Sequence, residues 1–161
     1  MRIFASRSYF MRLIALVILL ASTQTALATG GFSCSIDDKV VNFEAAAVVS
    51  HSVGEQIPQV RAELEIRAPG TPDDLRKLDL SEHVTQKWYY DRDLKLRFYR
   101  EREGDKAHGY VELVIQARRK KGQDETSYSG NYVLMVHDLG PAGGSEGKTT
   151  TRRGRVACSG E

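Results

Sequence analysis

The chain has 161 residues, 23 Lys and Arg against 21 Asp and Glu, four His and two Cys, and 41% hydrophobic residues. That length suits one domain with a single core rather than several. The formal charge of +2 is carried by the first segment, so the body has no global pull toward nucleic acid or an anionic membrane.

Residues 1–28 have the pattern of an export signal. Arg2, Arg7 and Arg12 precede an apolar run over 13–21, and Ala26-Leu27-Ala28 offers small residues for cleavage. The run is too short to span a bilayer, which needs roughly 18 apolar residues, so no stable membrane anchor is expected after cleavage. The residues before Cys34 are Gly31-Phe32-Ser33, far from the apolar run, which argues against a lipoprotein. Cleavage after Ala28 leaves residues 29–161 as a single secreted β domain. The leader holds three Arg and no acid, so 23 basic and 21 acidic side chains become 20 and 21, a net of −1.

From Thr29 onward the leading signal is apolar alternation of period two, which puts alternate side chains on opposite faces of a strand. A first strand over 32–36 ends at Asp37-Asp38-Lys39, and a second starts at Val40 and includes the Ala-rich stretch 44–49. Residues 59–67 alternate most clearly: Val60, Ala62, Leu64 and Ile66 face one way, Arg61, Glu63, Glu65 and Arg67 the other. Thr71-Pro72-Asp73-Asp74 is a helix start, with a capping Thr, a Pro suited to the first turn and acids at the positive end of the dipole. It predicts one short helix over 72–78.

Strands over 83–90 and 94–102 flank the turn Asp91-Arg92-Asp93. Gly104-Asp105-Lys106 precedes a strand with Val111, Leu113, Ile115 and Ala117 on one face, and Gly122-Gln123-Asp124 precedes 126–137. The last strand is expected over 151–158, giving seven or eight in all. Half-buried, hairpin-linked strands of this kind read as an antiparallel meander.

Cys34 and Cys158 stand near the two ends of the expected mature chain. In an exported protein they are expected to form one disulfide, which requires the first and last segments to be neighbours. The expected fold is therefore all-β and mainly antiparallel: a small closed barrel or sandwich whose N- and C-terminal strands are joined by that disulfide.

Candidate chemistry is sparse. Ala142-Gly143-Gly144-Ser145-Glu146-Gly147-Lys148-Thr149 fits a loose phosphate-binding loop, and its centre fits the Gly-x-Ser-x-Gly nucleophile elbow. The first needs a helix beginning at Lys-Thr, yet a β-branched, strand-like stretch follows. The second needs a histidine after the serine, and His51, His83, His108 and His137 all precede Ser145. Both matches read as accidents of a glycine-rich hairpin loop. His137 with Asp138, and the acid pairs Asp37/Asp38 and Asp91/Asp93, read as strand ends and turns rather than metal sites.

Two basic runs remain, residues 118–121 and Arg152-Arg153 with Arg155. They are expected at opposite ends of the strand between them, as separate solvated strand ends. The aromatics Trp88, Tyr90, Tyr110, Tyr128 and Tyr132 are the candidate contact residues for a ligand or partner, weighed against core packing.

No catalytic set, metal site or cofactor is expected. The expected function is that of an exported, non-catalytic binding protein of the bacterial periplasm or cell envelope, holding a small apolar ligand or docking on an envelope protein, with no nucleic-acid partner. The alternative is a structural or assembly partner in the envelope.

Overall fold

The structure is a computed structural model that describes residues 29–50, 57–119, 122, 126–140 and 147–160. The leader, Lys120, Lys121 and residues 142–146 lie outside the described residues.

Among the described residues there are nine strands: β1 (Thr29–Asp37), β2 (Val41–Ser50), β3 (Gln59–Ile66), β4 (Lys77–Asp79), β5 (Val84–Tyr90), β6 (Asp93–Glu101), β7 (Gly109–Arg119), β8 (Ser127–Asp138) and β9 (Lys148–Gly160). They form one antiparallel sheet in the order β4-β3-β2-β1-β9-β8-β7-β6-β5. Every neighbour is a chain neighbour except β1 with β9. The sheet curls into a half-barrel rather than a two-sheet sandwich. The alternation read from the sequence is the burial pattern of the strands: in β3, Val60, Ala62, Leu64 and Ile66 are buried.

The helix start is realised differently. Asp73–Leu75 forms a single 3-10 turn, and the chain is extended again as β4 by Lys77. Thr71 is buried and bonds back to the Ala68 carbonyl, so it does not cap. Leu78 stands opposite Leu64 of β3, and burying it there requires strand rather than helical geometry. Three residues are too few for alternation to show, which is why nine strands form where seven or eight are expected. A second 3-10 turn, Ser81–His83, joins the outer strands β4 and β5, and Leu80 N–H donates to the Ala62 carbonyl beside it.

The concave side holds one hydrophobic core, with Phe43 packed edge-on to Phe98 across the barrel at 5.4 Å. Arg102, 7% exposed, fastens the loop after β3 to the sheet. Its guanidinium donates to Asp74 at 2.6 Å and to Asp138 at the end of β8 at 2.8 Å. Burial disfavours the charge on Asp138, but the Arg102 hydrogen bond and the Gly140 backbone N–H hold its carboxyl below the usual value.

Cys34 and Cys158 face each other directly across β1 and β9, Cα atoms 4.0 Å apart, and are disulfide-bonded over a separation of 124 residues. A loop of that size corresponds to about 4 to 5 kcal/mol in the chain-entropy picture. Cys34→Ser should therefore lower the melting temperature by several degrees, measured by calorimetry under non-reducing conditions; an unchanged value would contradict the assignment.

Candidate binding surface

The five aromatic candidates separate into three places. Tyr128 and Tyr132 belong to the core. Trp88 and Tyr90, 43% and 67% exposed, stand on the outer face of β5, where Lys95 lies over the Trp88 ring at 4.2 Å. Tyr110 is on the outer face of β7. The structure thus brings no common pocket together from these residues.

The two core tyrosines use their hydroxyls internally. Tyr128 shares a 2.8 Å hydrogen bond with Tyr89, and burial together with that bond pushes its hydroxyl up to about 12. Tyr132 crosses β9 and donates to Asp38 Oδ2 at 2.6 Å, tying β8 to the turn between β1 and β2. Gly154 stands opposite Tyr132 in β9, and a Cβ there would lie 2.5 Å from the ring, so the glycine makes the crossing possible. Asp38 also accepts from Val40 N–H and Val41 N–H. Burial works against its charge, yet these three donors and nearby Arg67 hold its carboxyl below 3.8.

The other acid candidates are similarly occupied. Asp37 pairs with Arg67 and Asp93 with Arg118, while Asp91 sits at positive φ in the β5–β6 turn. His137 and Asp138 are adjacent in an extended strand and point to opposite faces: Asp138 meets Arg102, whereas His137 Nδ1 bonds Thr149 Oγ1 at 2.9 Å. Lys148-Thr149 opens β9 and no helix follows it, so the phosphate-loop geometry is not formed there.

A groove of about 1040 Å³ lies along β3 and the strands beside it. Glu44, Arg61, Glu63, Asp79 and Lys87 are among its lining, and no aromatic side chain is.

A different surface collects more unusual features: the outer face of β6 to β9. Tyr99, Tyr110 and His137 form a ring ladder with centroids 5.4 and 5.2 Å apart, and His108 packs against Tyr110 and His137. Tyr99 O–H donates to Glu101, which with burial pushes it up to about 12. Arg97 Nε donates to the largely buried Glu112. In register beyond this ladder lie Val114, Val133 and Met135, then Thr151, Arg153 and Arg155 of β9. The ladder was not legible in the sequence because its members come from three strands, β6, β7 and β8, and only the register aligns them.

The basic runs are also nearer than expected. β9 starts at Lys148, so Arg152, Arg153 and Arg155 lie in mid-strand, not at its end. Arg155 pairs with Asn131, which pairs with Gln116, only two residues along β7 from Arg118. Arg118 is neutralised by Asp93, whereas the described residues give Arg152, Arg153 and Arg155 no carboxylate within salt-bridge distance.

Comparison with known proteins finds no match: no family model, no curated protein and no solved structure corresponds to this chain.

Tyr132→Phe should cost about 1.5 to 3 kcal/mol at neutral pH, the range for a hydrogen bond to a charged group. Because the Asp38 pKa is depressed on folding, the stability it contributes is complete above about pH 4 and disappears as pH falls through the folded-state value. Urea unfolding from pH 7 to pH 2.5 should show the two proteins converging at the acid end; a constant difference would refute the Tyr132–Asp38 coupling.

Proposed function

We propose that this chain is an exported, non-catalytic binding protein of the bacterial periplasm or cell envelope that works by docking on a protein partner. The observation that carries this reading is the contrast between the two sides of the sheet. The concave side is filled by its own side chains, with Tyr128 and Tyr132 bonded internally, whereas the outer face of β6 to β9 presents an aromatic and histidine ladder, a strip of partly exposed apolar residues, and Arg153 and Arg155, which have no carboxylate partner among the described residues. Such a mixture of rigid aromatics, apolar centre and Arg rim is the composition of protein interfaces. The disulfide is compatible with an oxidising, exported location, and the Ala26-Leu27-Ala28 site supports maturation at Thr29.

A small apolar ligand is the weaker reading, because the large groove is lined by charged and small side chains. Photo-crosslinking in cells separates the two, with a photoreactive residue at Met135 on the outer face of β8 and, as a control, at Ala46 on the outer face of β2. A discrete protein adduct from position 135 and none from position 46 is expected. The absence of any adduct, together with a small molecule released on denaturing the native protein, would overturn the docking reading.

A further inference from the structure

β9 is longer than the strand that covers it. It runs from Lys148 to Gly160, but β1 pairs only with Ala157–Gly160, and Ile36 and Asp37 turn away to continue pairing with β2. The nine residues of β9 from Lys148 to Val156 are therefore held by β8 on one side and, among the described residues, by no strand on the other.

The direction of the open groups follows from the ladder. Leu139 N–H donates to the His108 carbonyl, so odd-numbered residues of β8 face β7 and even-numbered ones face β9. The even residues of β9 oppose even residues of β8 and bond to them, as the Gly160 N–H to Thr126 carbonyl bond at the strand's end confirms. Thr149, Thr151 and Arg153 consequently point their backbone groups outward at the open edge. The Thr151 carbonyl is bonded by the neighbouring Arg152 guanidinium at 3.2 Å, as an uncovered carbonyl permits. The described residues offer the three N–H groups no backbone acceptor.

We propose that the docking site extends to this edge, at the margin of the outer face of β6 to β9, and that the edge receives an extended acidic segment of the partner protein as an added strand. The inference rests on the docking function above and names its partner's chemistry. Main-chain N–H and C=O groups at a free edge are met fully by another strand, which supplies both at the matching spacing of about 6.8 Å per residue pair. Charge decides which strand. Arg152 lies on one face of the edge, Arg153 and Arg155 on the other, and none has a carboxylate partner among the described residues. A second copy of the same edge would bring these arginines together, so self-pairing is opposed, in the way natural edges are protected. A strand with Glu or Asp on both faces satisfies the groups and the charges together. A nucleic acid would satisfy the charges and leave the N–H and C=O pattern unmatched, which is why a peptide is favoured.

The test uses the mature protein and a dye-labelled eight-residue peptide alternating Glu with Val, followed by fluorescence anisotropy at physiological salt. Saturable binding is expected, and Arg153→Glu with Arg155→Glu should abolish it. Thr151→Pro removes one outward N–H from an edge that tolerates proline, and should weaken binding about tenfold with the melting temperature retained. Methylating alternate peptide nitrogens, which keeps every charge, should weaken it at least as much and involves no change in the protein. Equal affinity for the methylated peptide, or equally good competition by a ten-residue oligothymidylate, would overturn the proposal in favour of a polyanion surface; no binding of the peptide would overturn it outright. The adduct at position 135 keeps the two readings apart: its persistence in Thr151→Pro would leave the docking function standing and remove the edge from it.

Discussion

The covalent and hydrogen-bonded seam between β1 and β9 is the constraint from which the rest of the architecture follows. Without it the chain is two meanders, β1 to β4 and β5 to β9, linked by one 3-10 turn. With Cys34 fixed opposite Cys158, the first and last strands become neighbours, the sheet becomes continuous over nine strands, and the inward side chains of both meanders face one another. Phe43 and Phe98 meet only because of that closure. Stability and shape thus share a cause: the cross-link shortens the unfolded chain's reach and fixes the register of the pair it joins.

The same seam generates the surface feature of interest. Cys34 is three residues from the end of β1, whereas Cys158 is ten residues from the start of β9. Pinning the two together forces β9 to project beyond its neighbour by about seven residues. The projecting part is stabilised from the other side by β8 and from beneath by Tyr132, which passes over Gly154 to reach Asp38. A free edge that lacked this support would fray or fold back. Here it is paired along its length with β8 and carries Arg152, Arg153 and Arg155, so the segment is preorganised for a strand of opposite charge, which lowers the ordering cost of binding.

The sequence made much of the fold legible. Alternation over 59–67 and 111–117 marks the faces of β3 and β7, the Asp-rich turns mark two hairpins, and two cysteines near the ends imply the closure. It misled where local and tertiary preferences conflict: Thr71-Pro72-Asp73-Asp74 carries every local mark of a helix start, but burial of Leu75 and Leu78 against the sheet takes the chain elsewhere. The site was less legible. Tyr128 and Tyr132 have the same composition-level appearance as Tyr110, and only the parity of their positions sends two inward and one outward. Arg152, Arg153 and Arg155 read from the sequence as a solvated strand end, because nothing in a single sequence states which residues of the last strand lie beyond the end of the first.

Backbone amide hydrogen exchange along β9, in the protein without a partner, tests whether the edge is open. The open edge predicts a two-residue rhythm: Thr149, Thr151 and Arg153 exchange rapidly, while Thr150, Arg152 and Gly154, bonded to β8, are protected by orders of magnitude. Protection would become uniform only over Ala157–Ser159, where β1 covers the strand. Uniform protection from residue 149 onward would contradict the free edge, and the docking site proposed from it.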